Sequence, residues 1–260
     1  MKTSNKTNVG ILKTAWLIIA SITYTGYTCC RSVYKGITKT TSREWVDAEI
    51  HRWSQRILKL LRIHCTVHNP HQVKPKAGEK TIIMCNHSSL FDIPIGFQSF
   101  PDQTIRMLAK KEMAKIPLMK QGLTASEFPM VDRHNRAQAI RDLQKVIQLL
   151  ESGIVMWIFP EGTRSANGQV APLKKGGFIT AIQTKATIIP LGIRGAHRVL
   201  PARSTHFNLD QHVEVHIGEP IDASVYTLDN KEELIKKVRD SMVSLTGQSE
   251  EPLTHSTEQN

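Results

Sequence analysis

Beyond residue 62 the chain sets short β-branched runs against stretches of helical period, and this alternation limits its fold more than any other feature. TIIMC at 81–85, IRML near 105, IVMWIF at 154–159, ATIIPLGI at 186–193 and VEVHI at 213–217 have the length and composition of strands. Between them, 135–151 puts Ala139, Leu143, Val146, Ile147 and Leu150 on one helical stripe and stops just short of Gly153. Strands that alternate with helices predict an α/β protein whose sheet is covered by helices.

Composition narrows the class without naming a function. The chain has 260 residues, 40% of them hydrophobic, enough for a sizeable core. Gly and Pro are modest and no period recurs, which excludes collagen, solenoids and coiled coils. Cys29, Cys30, Cys65 and Cys85 show neither disulfide density nor CxxC spacing, so a reducing compartment is expected. With 34 Lys and Arg against 23 Asp and Glu, the net charge of +11 suits an anionic partner. Nucleic acid, an anionic membrane, a phosphorylated substrate and an acidic carrier protein all satisfy it.

The first 43 residues hold Lys2, Lys6, Lys13, Arg31, Lys35, Lys39 and Arg43 and no acidic residue. Within them, Ala15 to Cys30 is uncharged and apolar, shorter than the roughly 20 residues that usually span a bilayer. Spanning is therefore marginal, and lying in the interface stands equal to it. A cleaved signal ranks below both, because no small-x-small site follows. If the segment spans, the basic flank places the rest of the chain in the cytoplasm. The bland alternative is a buried helix. Residues 44–62 form an amphipathic pattern with Val46, Ile50, Trp53, Ile57, Leu60 and Leu61 on one side, a stripe equally suited to the protein's own core and to a membrane. Three regions are expected: membrane-associating helices at 1–62, an α/β domain at 63–246 and a polar tail at 247–260.

Chemistry concentrates where strands stop. Directly after TIIMC comes NHSSLFD, 86–92. Ser89 and Asp92 fit a capping box, leaving His87 on the turn before the helix, with Asp92 able to hold one imidazole nitrogen and leave the other as a base. Taken alone, His-x4-Asp is more often a cap beside an incidental histidine. Cys85 shares a strand side with His87 and offers a rival Cys–His pair, although such a cysteine is more often a small buried hydrophobe. Directly after IVMWIF comes FPEGTRS, 159–165. Gly162 permits a tight turn, Thr163, Arg164 and Ser165 bring donors suited to a phosphate, and Glu161 orients Arg164 or accepts from a hydroxyl. A self-neutralising turn is the simpler alternative. Lys110 to Arg133 adds cations that carry little weight alone. PLKKGGF at 172–178 reads as a helix start, and IIPLGIRG at 188–195 as a strand broken by Pro190.

Other classes fit less well. His64, His68 and His71 beside Cys65 suggest a metal-dependent hydrolase, but no fitting second cluster is evident in the sequence, and no metal is expected. A nucleic-acid-binding module suits the charge, yet neither an aromatic RNA-binding signature nor a zinc finger occurs, so no nucleic-acid partner is expected. No G-x-S-x-G elbow supports a serine hydrolase.

The ordered set NHSSLFD, Lys110 to Arg133, FPEGTRS and IIPLG resembles the 1-acyl-glycerol-3-phosphate acyltransferases and their glycerolipid relatives over roughly residues 80–195. The resemblance implies a mixed, mainly parallel α/β sheet covered by helices, behind an N-terminal membrane-associating helical portion. It makes His87 the general base with Asp92 as partner. Glu161, Gly162, Thr163, Arg164, Lys110 and Arg133 fall on the acceptor-binding positions. The implied reaction moves an acyl group from acyl-CoA or acyl carrier protein, as co-substrate and without a cofactor, to the sn-2 hydroxyl of lysophosphatidate. A different lysolipid or an aminolipid is the alternative acceptor. An anionic membrane surface is the implied partner, and the cytoplasmic face of a bacterial inner membrane the implied location. One departure stands out: Lys120 and Glu127 occupy positions that are commonly glycine in that family.

Overall fold

A computed structural model describes residues 9–248 apart from 133, 166–167, 202–203 and 205. The polar tail expected at 247–260 lies outside the described residues beyond 248. In chain order the elements are α1 (Ile11–Ile37), α2 (Arg43–Leu61), β1 (His64–His68), β2 (Thr81–Cys85), α3 (Asp92–Gly96), β3 (Ile105–Met107), β4 (Ala109–Lys110), α4 (Met119–Ala125) and β5 (Met130–Val131). They continue with α5 (Arg136–Glu151), β6 (Val155–Ile158), α6 (Gly176–Thr184), β7 (Thr187–Arg194), α7 (Ala196–Val199), β8 (His212–Ile217), β9 (Ile221–Asp222) and α8 (Lys231–Thr246).

The main sheet runs β1-β8-β7-β2-β6-β3, with β9 also on β7, and is mixed. β7, β2, β6 and β3 are mutually parallel, whereas β8 pairs antiparallel with β7 and β1 parallel with β8. Alternation along the strands builds two cores. Ile83, Cys85 and Trp157 face a layer made by α1, α2 and α3, while Ile82, Met84, Met156 and Ile158 face α5, α6 and α8. The β4–β5 pair stands apart as a small second sheet.

The amphipathic stripe of α2 belongs to the core. Ser42 caps the helix by accepting from the Trp45 amide at 3.2 Å, and Val46, Ile50, Ile57, Leu58 and Leu61 are buried against the sheet. Each such side chain contributes about 1.5–3 kcal/mol of burial. Arg106 on β3, wholly buried, donates to Asp47 of α2 at 2.6 Å and to the Ser126 carbonyl at 2.6 Å, which ties this layer to the loop before β5.

α1 behaves differently. Of its 27 residues only Leu17 and Ser32 are buried. It leans on α4, where a Cβ on Gly122 would come within 3.1 Å of Cys29, and on Trp53 of α2, whose indole donates to Thr25 at 3.1 Å. Ile11, Leu12, Trp16, Ile19, Ile22, Tyr27, Tyr34 and Ile37 remain exposed. No helix among the described residues is long and apolar enough to cross a membrane.

Two local expectations are corrected. Pro190 does not break β7, because it sits at the junction where the partner on that side changes from β9, paired at 187–188, to β8, paired from 191. Its missing N–H therefore removes no ladder bond, and its carbonyl still accepts from Gly218 at 2.9 Å. The capping box at 89–92 is half formed. Asp92 accepts from the Ser89 amide at 2.8 Å, but the Ser89 hydroxyl accepts from Phe91 instead of Asp92, since the helix proper starts only at Asp92.

Candidate active site

Because β2, β6 and β3 are parallel, the loops leaving Cys85, Ile158 and Met107 emerge at one sheet edge. That edge is where open α/β sheets hold ligands. NHSSLFD leaves β2, FPEGTRS leaves β6, and Lys110 follows β3 after Leu108 has donated to the Trp157 carbonyl at 2.9 Å.

The first two loops are joined at His87. Its backbone N–H donates to Oε1 of Glu161 at 2.7 Å, and its carbonyl accepts from the Ser165 amide at 2.8 Å. Its ring stacks on Phe159, centroids 4.2 Å apart and planes 20° apart. Nδ1 lies 2.9 Å from Oδ2 of Asp92. The same oxygen accepts from the amides of Ser88 at 2.7 Å and Ser89 at 2.8 Å, so Asp92, wholly buried, is held as an acceptor. A carboxylate acceptor assigns the proton to Nδ1 and leaves the lone pair on Nε2. The imidazole is thus oriented by the turn below, the ring beside it and the loop opposite.

Glu161 is 3% exposed, and both its oxygens are occupied: Oε1 by the His87 amide and Oε2 by the Ala171 amide at 2.9 Å. Burial pushes its carboxyl up to about 7, with the Asp92 charge adding to the rise while the two amides and Arg239 oppose it. Its carboxylate cross-links backbone on both sides, to the amides of His87 and Ala171. Gly162, at φ +78°, takes the left-handed turn and donates to the Phe159 carbonyl at 3.0 Å. Beyond it Thr163 is exposed and Arg164 half-buried. Lys110 is exposed at the end of β4, and Arg133 lies outside the described residues.

Asn86 braces the site in a way that its neighbours in sequence did not reveal. Wholly enclosed, it donates to the Ile193 carbonyl at 3.0 Å and accepts from the Ile193 amide at 2.7 Å, bridging the ends of β2 and β7. Phe159 was likewise legible only as the end of a strand. Cys85 is not a nucleophile beside His87. It is buried in the core, and burial pushes its thiol well above the ordinary range, so it stays protonated.

The glycine-to-glutamate departure has a visible reason. Glu127 sits at φ +59°, a conformation that favours glycine, and its carboxylate takes a two-pronged bond from Arg43 at 2.8 and 2.9 Å.

At the carboxyl edge of this mixed α/β sheet, a carboxylate-held imidazole and a polar loop are thus stitched together. Residues 64–194 match the family model described as Acyltransferase, and the chain belongs to that family. It is 30% identical over 177 residues, 67% of this chain, to the 1-acyl-sn-glycerol-3-phosphate acyltransferase of Limnanthes alba. To the enzyme of that name from Cocos nucifera it is 35% identical over 122 residues, 46% of this chain. The matches take in 62% and 39% of those relatives, so the chain spans less than two thirds of the length of each. The crystal structure of the 1-acyl-sn-glycerophosphate acyltransferase PlsC from Thermotoga maritima superposes with a TM-score of 0.71. That alignment has 25% identity and covers 93% of this chain and 98% of the other.

Proposed function

We propose that this protein acylates the sn-2 hydroxyl of lysophosphatidate, giving phosphatidate, with acyl-CoA or acyl carrier protein as thioester donor and no cofactor. The observation that carries this reading is the double backbone junction between His87 and the loop of Glu161 and Ser165, at 2.7 and 2.8 Å. It sets a base and a phosphate-suited loop side by side, and the names of the relatives supply the acceptor.

In the proposed reaction the acceptor hydroxyl attacks the thioester carbonyl while Nε2 of His87 takes its proton. The buried Asp92 carboxylate steadies the positive charge on the ring. The tetrahedral intermediate collapses, the carbon–sulfur bond breaks, and the departing thiolate recovers the proton. Thr163, Arg164, Lys110 and Arg133 are assigned to the acceptor phosphate, and the Gly162 backbone to the turn that presents them. Glu161 is assigned as a positioning residue, because its oxygens already serve two amides. Binding both substrates against one fixed imidazole makes an acyl-enzyme unnecessary.

Residues 1–62 are read as the membrane-associating portion through α1 alone, the apolar stripe of α2 being spent on the core, with 63–246 as the catalytic portion and 247–260 as a tail. α1 turns Trp16, Ile19 and Ile22 outward at helical spacing, each more than half exposed. Such a face suits the cytoplasmic surface of an anionic membrane, in keeping with the net charge of +11. Ile19→Asp with Ile22→Asp then lowers sedimentation with anionic liposomes, and unchanged sedimentation removes the assignment.

The test of the reaction is acyl transfer with a panel of phosphate-bearing and phosphate-free lysolipids against both donor types. Lysophosphatidate is expected to be the best acceptor, with transfer lost in His87→Ala at unchanged circular dichroism. Preference for a phosphate-free lysolipid overturns the acceptor, and full activity of His87→Ala overturns the base.

A further inference from the structure

Strands β1 and β8 carry histidines four residues apart, and their parallel register sets His64 opposite His212 and His68 opposite His216. The sequence shows only the first half of this arrangement, since the second half arrives with β8, the last long strand. Both pairs stack, at centroid distances of 4.8 Å and 4.5 Å. Val213, Val215 and Ile217 face the core beneath α1 and α2, so His212, Glu214 and His216 present the other face of β8.

The second pair has a carboxylate between its nitrogens. Nε2 of His216 lies 3.0 Å from Oε2 of Glu214, and Nε2 of His68 lies 4.0 Å from Oε1. One ligand atom from each of the three residues falls within 4.8 Å of the others. Nε2 of His68 is also buried and has no hydrogen-bond partner. A buried ring nitrogen aimed at a carboxylate, yet beyond hydrogen-bonding reach of it, is a group awaiting a third atom.

We infer that His68, Glu214 and His216 form a binding site for a divalent transition metal of the zinc class, which clips edge strand β1 to β8. Two imidazoles and one carboxylate are a zinc-type donor set, and hard cations such as magnesium prefer oxygen alone. Bond lengths of about 2.0–2.1 Å in a tetrahedron separate ligand atoms by about 3.4 Å. Rotation of three partly exposed side chains closes the remaining distance. His68 and His216 line a cleft of about 760 Å³ together with His71 and Glu219, which gives an ion and solvent a route to this pair. None of the three residues belongs to the His87 network, and β7 lies between β8 and β2, so the metal has no part in acyl transfer. Its effect is mechanical. Among the described residues β1 has β8 as its only sheet neighbour, and it follows directly from α2, so the clip fastens the helical layer to the sheet margin.

The full-length protein, purified without a histidine tag and stripped with a chelator, is titrated with Zn2+ by calorimetry and with Co2+ by visible absorption. One tight equivalent is expected, with the d–d bands of tetrahedral Co2+ and a Tm raised by several degrees in saturating Zn2+. His68→Gln with His216→Gln abolishes all three, while His64→Gln with His212→Gln retains them. Should the first double variant fail to fold, Glu214→Gln replaces it, with at least a tenfold weaker affinity expected. No saturable binding, or equal binding in the His68/His216 or Glu214 variants, overturns the site.

Discussion

Glu161→Gln separates stability from catalysis in a way that depends on pH. Glutamine keeps one carbonyl oxygen for one of the two amides now served by Glu161 and turns an N–H2 toward the other. One buried amide is orphaned at a cost of about 1–3 kcal/mol. Against this, glutamine removes a buried ionisation. The carboxyl rises from an ordinary 4.5 to about 7 on folding, which corresponds to about 3 kcal/mol. A raised carboxyl pKa favours the folded state most below pH 4.5, and that contribution is lost as pH climbs through 7. Wild type therefore gives up about 3 kcal/mol across this window that Glu161→Gln does not. The variant is the less stable protein at pH 5, and the difference moves by about 2.5 kcal/mol in its favour by pH 8.5. Urea melts of both proteins at pH 5, 6, 7 and 8.5 measure the difference with every other titrating group held in common. On the proposed reaction acyl transfer falls at every pH, because the loop of Glu161 loses one of the two amides, those of His87 and Ala171, that brace it beside the imidazole. A stability difference that does not vary with pH refutes the reasoning, as does full activity in the variant.

Three further outcomes follow from the geometry. Asp92→Asn, which keeps an oxygen for the Ser88 and Ser89 amides but removes the charge beside the imidazole, lowers kcat by about 10²–10⁴-fold while KM stays within a few-fold; an unchanged kcat counts against the pairing. Gly96→Ala drives a Cβ to 2.7 Å from the Trp157 ring, so it destabilises by about 1–3 kcal/mol in urea melts, and an unshifted midpoint contradicts that packing. Glu127→Gly and Glu127→Ala both lose the partly exposed bond to Arg43, but only alanine retains the positive-φ strain. The alanine variant is therefore the less stable by about 1 kcal/mol, and equal stability removes the strain argument.

Much of this architecture is written locally. The alternation of Ile82 and Met84 with Ile83 and Cys85 already divides the two faces of β2, and the stripe on α2 already marks an apolar side, though not what covers it. NHSSLFD and FPEGTRS are visible as polar runs at strand ends, which in a parallel sheet must share an edge. The remainder depends on partners far along the chain. The inward turn of Glu161 is decided by amides at 87 and 171, the tolerance of Pro190 by where β9 hands over to β8, and the bridge of Asn86 by Ile193. No window of sequence contains both members of those pairs, and hydrophobic periodicity says nothing about which amide a buried carboxylate will find. The fate of α1 was undecided for a related reason, since an apolar face names no partner by itself.

The tie between His87 and Ser165 has a developmental consequence. During synthesis, the segment bearing the imidazole leaves the ribosome long before the chain that fastens its carbonyl and amide, and the Ala171 amide that engages the far side of Glu161 comes later still. A nascent or truncated polypeptide lacking those later residues holds its histidine on an unbraced turn. On the proposed reaction, a braced histidine is therefore available only to chains that extend past Ala171.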